Sequence, residues 1–300
     1  MRKPPSLKKG DTIGILSTAR KISKEELSNC INFLESFGFN IQTGKTIGAE
    51  FHQFAGDDTC RTEDLQAMLN DDGINAILCA RGGYGTVRII DSIDYSKFVK
   101  NPKWIAGYSD VTALHMMVNT KLAVQSLHSP MPLGFEELTE QSKKSLVDAL
   151  FGHPLNYTIP SHPLNKGGED TSVLFGGNLS VLYSLTGSTN GGVPTGSFLF
   201  IEDLDEYLYH IDRMMMNFRR SGKLNMLKGL VIGGMTDMND NTIPYGMDAV
   251  EIIISHVKDK PIPVCFGFPA GHIKDNRTLV LGKEYRFKVD SATVELKAVD

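Results

Sequence analysis

The sequence predicts an α/β protein of two domains. Short apolar runs alternate with helical stretches through the first half, two glycine-rich turns close such runs, and after residue 171 the pattern shifts to longer apolar and alternating strands. Strand, helix, strand with short connections implies a parallel sheet covered on both faces. Such sheets bind ligands beyond the C-terminal ends of their strands, where both glycine-rich turns fall. A chain of 300 residues is long enough for two cores.

Asp11 to Leu16 is a short apolar run suited to a buried strand. Lys24 to Phe37 has helical spacing, with Leu27, Cys30, Ile31, Leu34 and Phe37 on one face, and stops at Gly38. Asn40 to Thr43 reads as a strand, Arg61 to Leu69 as a helix, and Ala76 to Cys79 as a strand running into Arg81-Gly82-Gly83-Tyr84-Gly85. A helix over Thr86 to Ile93, a strand ending Lys103-Trp104-Ile105-Ala106 and a helix over Val111 to Val118 complete the first pattern. Residues 136–170, rich in Pro, His, Asn and Gly, read as a linker with a helix near Gln141 to Leu150. Beyond it, Val173 to Asn178 enters a helix at Leu179, with strands at Phe198 to Ile201 and Gly229 to Ile232. Leu279 to Leu281 and the alternating Tyr285 to Val289 are expected to form a terminal hairpin. The domains are therefore 1–135, α/β; 136–170, linker; and 171–300, smaller and β-rich.

Composition narrows the function. The fractions are those of a globular protein (41% hydrophobic, 22% charged), and the net charge of -4 with no long basic run argues against a nucleic-acid partner. The basic first residues are not followed by an apolar stretch, and no run approaches membrane-spanning length, so no membrane partner is expected. Cys30, Cys60, Cys79 and Cys265 are scattered without a CxxC, which fits reduced thiols in the cytoplasm better than disulfides or zinc.

Three places carry possible chemistry. In Gly107-Tyr108-Ser109-Asp110 a serine stands on a tight turn between strand and helix. Such a turn pushes the hydroxyl clear of the sheet, beside helix N–H groups able to stabilise an oxyanion. A serine here also caps helices, and the segment alone leaves both roles open. A nucleophilic serine needs a base, and the base an orienting partner. His272, in Gly267-Phe268-Pro269-Ala270-Gly271-His272, is one of few histidines on a glycine-flanked turn, whereas His115 falls within a helix and reads as packing. By itself His272 is equally a loop histidine bonded to backbone. Glu202 and Asp203 follow the apolar run Phe198 to Ile201, where an ionised group is costly unless partnered. Strand-end position favours Glu202, though spacing does not separate the two.

Six segments in order give the chain a specific resemblance to the LD-carboxypeptidases, serine peptidases that trim peptidoglycan peptides and include the microcin-immunity peptidases. They are Leu7 to Ile13, Arg81 to Gly85, Gly107 to Asp110, Gly176-Gly177-Asn178-Leu179, Ile201-Glu202-Asp203 with Ile211-Asp212-Arg213-Met214, and Gly267 to His272. The resemblance implies Ser109 as nucleophile, Glu202 rather than Asp203 as orienting carboxylate, and His272 as general base. It also implies hydrolysis, without metal or cofactor, of the bond that holds the terminal D-alanine of a cytoplasmic murein tetrapeptide. The expected fold is a parallel-sheet α/β domain, flavodoxin-like or glutamine-amidotransferase-like, plus the smaller β-rich domain. The nucleophile falls in the first and its partners in the second, so the active site is expected in the cleft between them. Backbone N–H groups of Gly83 and Asp110 are the oxyanion-hole candidates, Arg81 and Arg213 the candidates for the substrate carboxylate, and the expected assembly is a homodimer.

Two departures from the family pattern bear on the substrate: His128-Ser129-Pro130 replaces the common His-Gly-Pro, and Ser17-Thr18-Ala19 the more usual Pro-Ser-Ser. A peptidase for peptidyl nucleotide antibiotics is the nearest alternative. A non-catalytic protein cradling a phosphate or carboxylate on Arg81 to Gly85 is the rival from another class. With no HExxH or comparable ligand set in the chain, dialysis against a strong chelator is expected to leave hydrolysis unchanged. Loss of activity with chelator and its return with zinc would overturn that expectation.

Overall fold

The computed structural model describes residues 1–189 and 191–299. Its strands are β1 (Thr12–Leu16), β2 (Asn40–Thr43), β3 (Ile74–Cys79), β4 (Trp104–Gly107), β5 (Ser126–His128), β6 (Tyr157–Pro160) and β7 (Gly168–Asn178). They continue with β8 (Phe198–Leu204), β9 (Gly229–Thr236), β10 (Val264–Cys265), β11 (Leu279–Leu281), β12 (Glu284–Val289) and β13 (Thr293–Ala298). Two compact units divide them: Met1–Pro154 with Lys274–Gly282, and Leu155–Ile273 with the chain from Lys283 onward.

The first unit is built on a six-stranded sheet in the order β11-β5-β4-β3-β1-β2. All neighbours are parallel except β11, which runs antiparallel to β5. Its central strands are apolar and buried along nearly their whole length, as a sheet covered on two faces demands. Helix Ser28–Ser36 is followed by Gly38 in the left-handed region (φ +91°). Helix Asp58–Asn70 begins on Asp57, whose carboxylate accepts from Cys60 N at 2.7 Å.

Two predicted helices of this unit take other forms. Thr86 to Ile93 makes two short 3₁₀ turns, Thr86–Arg88 and Ile90–Ser92, because a run rich in β-branched residues starting from Gly85 (φ +147°) disfavours α-helix. After Ser109 a 3₁₀ turn, a short α-helix (Thr112–Met116) and a π-turn (Met117–Lys121) follow one another. There Thr120 Oγ1 donates to Met116 O at 2.6 Å, a side chain competing for the helical ladder, and Asn119 Nδ2 donates to Val124 O at 2.8 Å just beyond the turn.

The second unit is a seven-stranded sheet in the order β10-β9-β8-β7-β12-β13-β6. Its long strand β7 joins two halves: Leu174 to Asn178 pairs parallel with β8, and Gly168 to Val173 pairs antiparallel with β12. The expected hairpin of Leu279 to Leu281 with Tyr285 to Val289 is not formed. β11 leaves for β5 in the first unit's sheet, and the hairpin is instead β12 with β13. Apolar β11 is buried on both faces, whereas β12 alternates, so the two belong to different environments. Residues 136–170 hold helix Glu140–Phe151, capped by Thr139 and ended by Gly152 (φ +81°), then β6 and the start of β7.

Gly176 is where the second sheet tolerates least. Its φ is +140°, and a methyl group there would stand 1.9 Å from the carbonyl oxygen of Phe200 in β8. Gly176→Ala is therefore expected to cost at least about 2–3 kcal/mol, combining strain with displacement of a neighbouring strand. Gly246→Ala, also at positive φ but with open space around it, is expected to cost about 1 kcal/mol. Comparing their thermal melts with wild type checks the difference.

Candidate active site

In the first unit, Gly107 ends β4 and Ser109 adopts φ +64°, a left-handed conformation that a side chain makes costly, on the order of 1–3 kcal/mol. The surroundings fix it there. Gly107 O accepts from Ser129 N at 3.1 Å and from His115 Nε2 at 2.9 Å. His115 is wholly buried, and burial pushes its pKa down to about 4, partly opposed by the bond to Gly107 O. It is thus a neutral donor holding the residue two before the serine.

Three loops at the C-terminal edge of the sheet are tied to one another by buried polar groups. Asp110 turns its carboxylate inward to accept from Thr86 N at 2.7 Å, joining the turn after β4 to the glycine-rich turn after β3. Burial raises the Asp110 pKa, while Thr86, the Arg61 guanidinium and Gly85 N–H oppose the rise. Thr86 Oγ1 lies 2.7 Å from Thr18 Oγ1 in the loop after β1. Arg61, 1% exposed, donates through Nη1 to Thr18 O at 2.7 Å and Gly85 O at 3.0 Å, and pairs with Asp58. A methyl group on Gly82 would stand 2.7 Å from Ser109 Oγ and 3.3 Å from Asp110 N, so only glycine lets the two turns close on each other. Gly83 lies in the same turn at φ +111°. Arg81, half-buried, donates to Lys21 O at 2.8 Å.

In the second unit, Glu202 lies on β8, where the pairing with β9 shifts register between Ile201 and Asp203. The carboxylate is wholly buried. Its Oε2 accepts from His272 Nδ1 at 2.6 Å and from His272 N at 3.1 Å. That contact assigns the proton to Nδ1 and makes Nε2 the ring nitrogen able to accept another. The turn carrying His272 is strapped to β9: Phe268 N donates to Ile232 O at 2.9 Å, Gly234 N to Ala270 O at 3.0 Å, and Thr236 Oγ1 to His272 O at 3.1 Å. Gly271 (φ +103°) has no room for a side chain, since a methyl would stand 2.6 Å from Glu202 Oε2.

Asp203 faces elsewhere. It accepts from Asn178 Nδ2 and Ser180 N, both at 2.8 Å, and from Leu204 N at 2.9 Å, supporting the start of helix Leu179–Ser184. Burial first, then the neighbouring Glu202 charge, push its pKa up to about 7 against these hydrogen bonds. For His272, burial lowers the pKa, but the charge and hydrogen bond of Glu202, with Asp203 behind, outweigh it and raise the net value above the ordinary 6.5. Arg213, on helix Leu208–Arg220, stacks over the Tyr209 ring with its guanidinium 5.0 Å from the centroid. Among the described residues no group of three or more His, Cys, Asp or Glu side chains is gathered where it could hold a metal ion.

Of the residues singled out from the sequence, Glu202 meets His272 in one unit, and Ser109, Asp110 and the Gly82-Gly83 turn meet in the other. The positions of Arg61 and Thr86 carried no sequence signal, and Thr18 was marked only as part of a departure from the family pattern; the fold buries the three together.

Comparison with known proteins matches residues 13–129 to the LD-carboxypeptidase N-terminal domain and residues 171–287 to the LD-carboxypeptidase C-terminal domain. A probable murein peptide carboxypeptidase of Bacillus subtilis is 31% identical, over 99% of this chain and 94% of that protein. The crystal structure of muramoyltetrapeptide carboxypeptidase from Oxalobacter formigenes has the same fold, with TM-score 0.87 and 24% identity over 96% of this chain and 99% of that one. The microcin C7 self-immunity protein MccF has it too, with TM-score 0.86 and 21% identity over 99% and 98%. The protein is a serine-type peptidase, a hydrolase of peptide bonds. It belongs to the LD-carboxypeptidase family.

The raised pKa of His272 sets a pH dependence. A histidine acting as general base works unprotonated, so with His272 in that expected role kcat/KM should fall as the pH drops through a value above 6.5. Glu202→Gln should move that midpoint down and lower kcat by about 10⁴, the cost of neutralising an orienting carboxylate in a serine protease. Asp203→Asn should lose far less and shift the midpoint only slightly. A dead, well-folded Asp203→Asn beside an active Glu202→Gln would reverse the assignment.

Proposed function

We propose that the protein removes the terminal D-alanine from murein tetrapeptides in the cytoplasm, as a step of peptidoglycan recycling, with Ser109 as nucleophile, His272 as general base and Glu202 as its orienting partner. The observation that carries the reading is the buried Glu202–His272 hydrogen bond of 2.6 Å. An imidazole held by a carboxylate on one nitrogen is the form a serine nucleophile requires.

Ser109 Oγ attacks the carbonyl carbon of the L,D bond and its proton passes to His272 Nε2. The N–H groups of Gly83 and Asp110 hold the developing oxyanion, a role worth about 3–4 kcal/mol per donor. Collapse of the tetrahedral intermediate breaks the C–N bond, and His272 returns the proton to the departing amine of D-alanine. Water, deprotonated by the same base, then attacks the acyl-enzyme and releases the shortened peptide with Ser109 restored. Arg81 and Arg213 are assigned to substrate binding, and the working assembly is a homodimer.

MccF, which shares the fold, has been solved with glutamyl sulfamoyl guanosine and with aspartyl sulfamoyl adenosine, and this suggests a second substrate class, peptidyl nucleotides. Against it stands the one tryptophan of the chain, since Trp104 is 1% exposed in β4 and donates to Pro5 O at 2.9 Å, leaving its ring no surface for a nucleobase.

Ser109→Ala should remain folded, by its melting temperature, and lose several orders of magnitude in turnover. Wild type should release D-alanine from an L,D-linked tetrapeptide and spare the all-L diastereomer. Equal cleavage of both would reduce the enzyme to a general carboxypeptidase, and preference for a peptidyl adenylate would hand it to the antibiotic class.

A further inference from the structure

We propose that Arg20 is a specificity-determining residue that grips the terminal carboxylate of the peptide substrate, beside Arg81. The inference rests on the carboxypeptidase activity and on Ser109 as nucleophile.

Arg20 stands in the loop after β1, on the same sheet edge as Ser109. Its backbone is fixed: Ser17 Oγ donates to Arg20 O at 2.6 Å, and Arg20 bridges Phe54. Its side chain is exposed and lies across the glycine-rich turn. A methyl group on Gly83 would stand 2.6 Å from Arg20 Cδ and 2.8 Å from Nε, just as one on Gly82 would stand 2.7 Å from Ser109 Oγ. Two consecutive glycines thus carry the nucleophile over one and a guanidinium over the next.

That spacing suits a C-terminal residue. The terminal carboxylate lies three bonds beyond the carbonyl under attack, a span of about 4 Å. The cation that recognises it must therefore lie roughly one residue from the nucleophile's turn.

The charges at this rim point the same way. Arg81 adjoins the two glycines and has one Nη committed to Lys21 O. Burial lowers its pKa, Glu26 opposes the shift and the like charge of Arg20 adds to it. Among the described residues no carboxylate forms an ion pair with Arg20. Two neighbouring guanidinium groups, one without a counter-charge, are relieved when an anion enters between them.

The test is kcat/KM of wild type, Arg20→Ala and Arg20→Lys on an L,D tetrapeptide with a free terminal carboxylate and on its C-terminal amide, with melting temperatures measured alongside. Arg20→Ala should lose about 10- to 100-fold on the acid, mainly through KM, and little on the amide, the usual worth of a hydrogen bond to a charged group. Arg20→Lys should fall between, keeping the charge without the fork. A folded Arg20→Ala that keeps the wild-type preference for acid over amide overturns the proposal and leaves the peptidase assignment standing. Wild type cleaving acid and amide equally overturns both the proposal and the carboxypeptidase reading it rests on. Should the alanine variant not fold, Arg20→Lys decides alone: unchanged acid/amide preference and unchanged KM count against the role.

Discussion

The second unit is organised around one buried carboxylate. Glu202 sits within β8, just after the apolar run Phe198 to Ile201, with no exposure to water, a position that is strongly unfavourable for a charge unless it is hydrogen-bonded. The backbone around it is arranged to supply those bonds. The register shift between β8 and β9, the glycine pair Gly233-Gly234 opposite, and the left-handed Gly271 together bring the His272 turn close enough to offer both a backbone N–H and a ring N–H. Replacing any of these glycines would put a side chain where the turn or the carboxylate now lies.

The first unit meets a different constraint, a serine held in a strained conformation. Strain of this kind persists only where the surroundings over-determine it. The Gly107 carbonyl is held from two sides, and Asp110, the residue after the serine, is anchored through its buried carboxylate to Thr86. Arg61 then fixes the loops after β1 and β3 through their carbonyls. The interior charges of Asp110 and Arg61 offset each other, and both groups hydrogen-bond to backbone of the neighbouring loops, which ties this sheet edge together.

Asp203 and Glu202 show how adjacent carboxylates part company. Along a strand, successive side chains point to opposite faces. One therefore reaches the His272 turn while the other supports the helix after Asn178. Their mutual repulsion contributes to keeping Asp203 near 7, and its backbone partners keep it in place.

Alternation of short apolar runs was enough to read the parallel sheet, because strands buried on both faces leave that mark in any context. The serine turn after β4 and the glycine-flanked His272 were also legible, since such turns need particular residues nearby, and Glu202 and Asp203 stood out as carboxylates following an apolar run. The pairing of β11 with β5 was not, nor were the 3₁₀ turns after Gly85. Both depend on which distant surface an apolar segment finds, and local pattern is silent about that. The same holds for the contacts of Arg61, Thr18 and Thr86, which arise only when segments separated by tens of residues meet. Sequence by itself determined the parallel sheet of the first unit, the two-domain α/β class and the candidate side chains, because those follow from local periodicity and motif. Tertiary structure alone decided which buried groups satisfy one another and that the Arg20 side chain lies across Gly83 while Ser109 lies across Gly82, because hydrogen bonds and packing act through space rather than along the chain.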